Sequence, residues 1–242
     1  MITLELKKLQ RCSILWVGSL TMICAPLLAI LQLFSMNEPI SNYGFNELIN
    51  ATIWYNMSLF LPVTITLLGG YMINREYVDD MFKNLLTIPI TYRKLMFGKI
   101  GALMILNICY CAYSFIVTTI LSIIFFPTSI TGAAVIYSLL RVSCMGICIC
   151  IAMLPIIVWC GGKKNRFLAG SVIAFLYGFF SIPIAGHNLQ DIYPVSAGLS
   201  IIQYNGDIGS NATIYHPEIA ISVLLITLII TYIVLCIQNP IK

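Results

Sequence analysis

Six apolar runs follow one another along the 242 residues, at about 12–34, 53–74, 100–126, 133–161, 167–186 and 217–238. A bilayer core of about 30 Å takes roughly 20 helical residues to cross, so each run is a candidate span. The runs are continuously apolar instead of alternating with period two, which predicts helices and argues against a barrel. The fourth run is overlong and is expected to begin as an interfacial segment; the fifth is the shortest. The run from Cys12 to Phe34 exceeds the roughly 7–15 apolar residues of a signal peptide. No small-x-small site closes it, so it is read as a retained first span. The expected fold is all-α: one polytopic domain over residues 1–242, with six transmembrane helices.

Polar positions interrupt this pattern most densely between the second and third runs. From Arg75 to Lys99, "REYVDDMFKNLLTIPITYRKLMFGK" carries five Lys or Arg and three acids. Val78, Met81, Phe82 and Leu85 fall at i, i+3, i+4 and i+7, one face of an amphipathic helix. Asp79, Asp80, Lys83 and Asn84 take the other side, and Asp79 and Lys83 are spaced to support a helix. Pro89 stops it, and Thr91 is a plausible N-cap for a restart into the third span. Two roles suit such an element: an anchor that fixes topology by its charge, or a docking site for a soluble partner. Its acids argue mildly against simple binding to lipid headgroups. A smaller version precedes the first run. There Ile2, Leu6, Leu9 and Ser13 share a side while Glu5, Lys8 and Arg11 face away, predicting an amphipathic helix on the membrane surface.

Composition agrees with the pattern: 60% of residues are hydrophobic and 9% charged, against about 25% charged in soluble domains. Mean hydropathy is +0.95. The net charge of +4 says little, but its placement says much. Lys7, Lys8, Arg11, Arg75, Lys83, Arg93, Lys94, Lys99, Lys163, Lys164, Arg166 and Lys242 fall on one side of the six-span topology, 12 of 13 basic residues. Glu38, Glu47, Asp191, Asp207 and Glu218 fall on the other. The positive-inside rule then puts both ends of the chain in the cytoplasm. On the outer side, residues 35–52 read as a polar, Asn-rich loop. The last outer stretch contains the mostly apolar "YPVSAGLSIIQY" (193–204), which can re-enter the membrane only if protein covers its backbone.

Taken together, these features resemble the ABC-2 type membrane subunits of ATP-driven transporters. The resemblance rests on "LELKKLQR" (4–11) running straight into span 1, Glu76 after span 2, and "NLLTIPITYRKLMFGK" (84–99) before span 3. Six spans and a semi-apolar stretch before the last complete it, so it covers essentially the whole chain. The small size and the wording of 84–99 look most like permeases of bacterial bacitracin-resistance and lantibiotic self-protection systems. The resemblance implies a bacterial plasma-membrane permease that pairs with two cytoplasmic ATP-binding subunits and with a second permease, identical or paralogous. It implies no nucleic-acid partner, and an amphiphilic or peptide substrate. Arg75 to Leu86 would be the helix that fits a cleft on the ATPase, with Glu76, Asp79, Asp80 and Lys83 as polar contacts. The N-terminal helix, with Glu5, Lys8 and Arg11, would be the connecting helix beside it, and 187–204 the segment before the last span.

No GxxxxGK[ST] phosphate loop is present; "GGKKN" (161–165) lacks its first glycine and its Ser or Thr. ATP and Mg²⁺ therefore belong to the partner, and no cofactor is expected on this chain. An intramembrane enzyme is disfavoured because no acid lies inside any of the six runs, and a non-transporting anchor or sensor would leave the 75–86 pattern without a purpose beyond topology. Arg141 is the one ionisable residue within a run. It is either a pathway or interface residue, or it snorkels to the outer surface; the length of the run favours the second. His187 and His216 flank the last outer loop without a carboxylate at ligand spacing, so no metal site is expected. The nine cysteines show no CxxC and read as small buried hydrophobes.

Overall fold

The computed structural model describes residues 2–10, 12–35, 44–78, 92–126, 130–161, 166–185, 189–204 and 215–237. Among these every regular element is helical. In chain order they are α1 (Ile2–Leu9), α2 (Ile14–Ser35), α3 (Phe45–Tyr55), a π-helical turn (Asn56–Phe60), α4 (Leu61–Val78), α5 (Tyr92–Phe125), α6 (Gly132–Gly161), α7 (Phe167–Phe179), α8 (Ser181–Ala185), α9 (Ala197–Ile201) and α10 (Pro217–Ile237). Six stretches are long and apolar enough to cross a bilayer: α2, α3–α4, α5, α6, α7–α8 and α10.

Two of the six lie at the centre. In the most apolar window of Phe45–Glu76, 72% of residues are buried within the chain, and in that of Gly132–Gly161, 61%; the other four reach only 28–33%. Phe45, Leu48, Ile49, Ile53, Met57, Leu61, Ile65 and Leu68 form a continuous buried face along the second span. α4 packs most extensively against α7 and α6, and α6 also carries α10 and α5. The outer spans turn their apolar side chains outward: Leu20 and Leu31 on α2, Ile116, Ile120 and Ile124 on α5, Val172 and Leu176 on α7, Leu225 and Ile229 on α10. Exposed aliphatic stripes of this extent are stable in lipid and not in water.

Helices approach closely where small residues stand. A Cβ on Gly146 would collide with the Sγ of Cys111, and one on Gly178 would lie 2.6 Å from the Ser58 carbonyl oxygen. That carbonyl belongs to the π-helical turn. Pro62, four residues on, has no N–H to offer it, and Leu61 N–H instead reaches back five residues to the Asn56 oxygen.

Several boundaries differ from the sequence expectation. The second span begins at Phe45 instead of 53, because Phe45, Leu48, Ile49, Thr52 and Ile53 form a buried helical stripe whose polar neighbours Asn46, Glu47 and Asn50 depress the average hydropathy. Glu47 accepts the Gly44 N–H at 2.8 Å and caps this helix. The third span begins at Tyr92 instead of 100. The fourth is one uninterrupted helix, and the fifth breaks at Phe180 into α7 and α8. The stretch before the last span is covered by protein: Val195, Ser196, Ala197, Leu199 and Ser200 are fully buried, and α9 packs on α10 and α6. Asp191, expected as an outer-face acid, is buried; it accepts the Ser200 hydroxyl and, at 3.3 Å, the His216 backbone N–H. All nine cysteines are free, with Cys111, Cys148, Cys150 and Cys160 buried and Cys109 exposed.

Candidate functional site

Lys99 is the anchor of the most charged internal site among the described residues. It follows Tyr92, Leu95 and Met96 and precedes Ala102 and Leu103, all buried, so α5 carries its ammonium toward the interior at the basic end of the bundle. An ammonium has three hydrogens to donate, and three acceptors surround this one. Glu76 Oε1 lies at 2.8 Å, Glu5 Oε2 at 3.0 Å and the Met72 carbonyl oxygen at 2.9 Å. The side chains of Lys99 and Glu76 are only 4% and 7% exposed. Lys8 completes the ring, 3.1 Å from Glu5 and 3.8 Å from Glu76. Two carboxylates and two ammonium groups thus neutralise one another around a cleft of about 80 Å³, also lined by Leu9, Tyr71, Met72 and Arg75.

Three elements meet in this knot: α1 through Glu5 and Lys8, the last turns of α4 through Met72 and Glu76, and the start of α5 through Lys99. Arg75 tightens the same junction, donating from Nη1 to the Lys8 carbonyl at 3.4 Å and to Cys12 Sγ at 3.2 Å. Leu6 and Leu9 supply the apolar underside of α1. Burial raises the pKa of the Glu5 carboxyl, but Lys99, with help from Lys8, outweighs it and holds the group below the ordinary carboxylate value of 4.5.

The structure corrects two sequence expectations here. Arg75–Val78 is the closing turn of α4, with no break at residue 74 between the span and a separate surface helix. Glu5 and Glu76 turn inward, where Lys99 holds them, and away from the surface on which they were expected. Of the other residues assigned to that region, Arg11, Asp79, Asp80, Met81, Phe82, Lys83 and Leu85 lie outside the described residues, as does the side chain of Val78. In the linear pattern Lys99 is only one more basic residue between the second and third spans. Its signal was nonetheless present, since it sits three residues after Met96 and four before Leu103 on one apolar helical face.

Arg141 stands apart from this site. It lies on α6 in the other half of the bundle, half-buried, with its guanidinium 5.6 Å from the Tyr137 ring centroid.

The cleft of about 80 Å³ inside the knot is well below the roughly 300–1,000 Å³ of a small-molecule site. The knot's chemistry is mechanical: it fastens an amphipathic helix to both helices that flank residues 79–91. The sequence profile of a family described as ABC-2 family transporter protein matches residues 1–181, three quarters of the chain. The chain belongs to this family. It is accordingly a multi-pass membrane protein and the permease component of an ABC transporter, which is not itself the ATPase and works with an ABC ATPase partner. The matched region contains the whole knot and spans one to four. No curated protein matches the sequence.

Proposed function

We propose that this ABC-2 permease exports or expels an amphiphilic substrate, a membrane-active antimicrobial peptide such as bacitracin or a lantibiotic being the class it suits. It works in a bacterial plasma membrane as a pair of permeases, identical or paralogous, with two cytoplasmic ATPase subunits that carry the ATP and Mg²⁺. The basic end of the bundle faces the cytoplasm, since 12 of 13 Lys and Arg cluster on that side of the topology. Residues 79–86, which follow directly on α4, supply the contact with the ATPase, with Asp79, Asp80 and Lys83 as its polar groups.

The observation that carries the coupling in this reading is the Lys99 knot; the substrate class rests on the resemblance of residues 84–99 to antimicrobial-peptide permeases. A push delivered to 79–91 arrives at the ends of α4 and α5, and the knot makes those two ends and α1 move together. α4 is the most buried part of the bundle, so such a displacement repacks the interior between two arrangements, as a switching transition requires.

The test is purification of the permease with its ATPase and measurement of ATP turnover in lipid. Reversing Asp79 and Asp80 to Lys is expected to dissolve the complex. Glu76→Gln is expected to preserve the complex while uncoupling turnover from substrate. A complex that survives the double reversal with unchanged turnover overturns the docking assignment. A permease whose presence leaves cells equally sensitive to cationic and amphiphilic peptides overturns the substrate class.

A further inference from the structure

Arg141 presents the opposite situation to Lys99. Its Nε and Nη2 are covered by protein and have no hydrogen-bond partner, and no carboxylate among the described residues pairs with it. Glu218, at the start of α10, is exposed and unconnected to it. A cation left without an acceptor inside a membrane protein costs several kcal/mol by desolvation, and intramembrane arginines are accordingly functional by default.

Its depth defines the level at which an acceptor would arrive. Arg141 lies nine residues into α6, about 13 Å from the helix start at Gly132. Helical side chains lean toward the N-terminus, and this one leans back over Tyr137, one turn nearer that end. A 30-residue helix is about 45 Å long and overhangs a ~30 Å hydrocarbon core by roughly 7 Å at each end. The guanidinium therefore sits at the boundary between acyl chains and headgroups, at the end of the bundle away from the Lys99 knot. Ile136, Tyr137 and Leu140 around it are 58–66% exposed and apolar or aromatic, so a phosphate arrives from lipid, and pairing with Nε and Nη2 requires the guanidinium to turn out from under the protein that covers them. On its other side the same helix packs through Cys144 and Cys148 against α9 and α10.

We propose that Arg141, with Tyr137, is a recognition site for the phosphate of a membrane amphiphile. The planar fork of a guanidinium matches a phosphate bidentately, and cationic pockets between spans hold lipid headgroups in this way. The phosphate can belong to a resident phospholipid or to a phosphate-bearing amphiphile in transit; what the site recognises is a phosphate attached to an apolar chain. This assignment does not depend on how residues 75–86 meet the ATPase.

The experiment is thermal unfolding of the delipidated permease in detergent, titrated with dioleoyl-phosphatidylglycerol, with dioleoylglycerol (the same chains without phosphate) and with inorganic phosphate. The phospholipid is expected to raise the melting temperature saturably, and the diacylglycerol to do so far less. Arg141→Gln should weaken the apparent affinity for the phospholipid by roughly tenfold or more, the loss of a charged hydrogen-bonded pair. Arg141→Lys, which keeps the charge but not the fork, should weaken it less, and Tyr137→Ala should weaken it with the arginine intact. Equal phospholipid affinity in wild type and Arg141→Gln overturns the proposal, as does equal stabilisation by the diacylglycerol. Inorganic phosphate matching the phospholipid at the same concentration overturns the requirement for an apolar chain. Should Arg141→Gln fail to fold, the ordering of wild type, Arg141→Lys and Tyr137→Ala decides the matter. To separate the two sources of phosphate, the permease extracted from its native membrane is examined by native mass spectrometry. Bound phospholipid present in wild type and reduced in Arg141→Gln, or in Tyr137→Ala where Arg141→Gln does not fold, identifies a resident lipid, and its absence from wild type with titration intact identifies an amphiphile in transit.

Discussion

Lys99 and Arg141 are both cations inside an apolar bundle, one in each half, and their surroundings differ completely. Lys99 spends all three hydrogens on acceptors within 3.0 Å, supplied by two other elements of the chain. Arg141 leaves two buried nitrogens with nothing. The first arrangement is self-sufficient, and removing any member breaks an internal joint. The second is incomplete among the described residues, so its consequences fall on whatever else it meets. Buried charge by itself therefore says little about role; the presence or absence of an internal counter-charge says much more.

That contrast yields a graded set of outcomes. Lys99→Met should have the largest effect, because it leaves Glu5 and Glu76 facing each other with only the half-exposed Lys8 to balance them. A loss of about 3–5 kcal/mol is expected, read as a lower melting temperature and poor recovery from membranes. Adding Glu76→Leu to Lys99→Met should restore much of it, since removing both charges is far less harmful than removing one. If the double variant is as unstable as the single one, the ion pair is not what Lys99 provides.

Next in size is Glu76→Gln, which keeps the shape and one acceptor but removes the charge. About 1.5–3 kcal/mol is expected, the usual range for a hydrogen bond to a charged group, measured by the same melting assay. A smaller effect should come from pH. Because the Glu5 carboxyl is held below 4.5 when folded, its contribution is fully present above that value and is lost as pH falls through the lowered folded pKa. Melting temperatures taken from pH 7 downward should show this acid loss in wild type and a weaker one in Glu5→Gln. A Glu5→Gln protein with an unchanged acid limb would remove α1 from the electrostatic joint.

The smallest effect is expected at Arg141. In detergent without phospholipid, Arg141→Gln should cost no stability, because no hydrogen bond among the described residues is lost and a buried charge is relieved. A large destabilisation there would break the comparison, showing that Arg141 has a structural partner within the chain after all.

How far these two sites were legible in the sequence differs for physical reasons. Arg141 announced itself: a lone ionisable residue in a long apolar run is conspicuous in one dimension. Lys99 and Glu76 did not, because each stands near the end of an apolar run where charges normally mark the edge of the membrane. The spacing of Lys99 from Met96 and Leu103 held the clue, but a period of 3.6 says which face a residue is on and not what covers that face. The start of α3 was obscured similarly, since Asn46, Glu47 and Asn50 on its polar side masked the stripe from Phe45 to Ile53 that faces the core.

By itself the sequence determined six helical spans and the asymmetry of their charges, because both follow from local hydropathy and from counting. The resemblance to ABC-2 permeases was likewise carried by short stretches of sequence. Only the tertiary structure decided that the second and fourth spans form the centre, that the 193–204 stretch is roofed by protein, and that Glu5, Glu76 and Lys99 meet. Those three residues are separated by up to 94 positions. No local preference can bring them together; packing of α1 and α4 against α5 does.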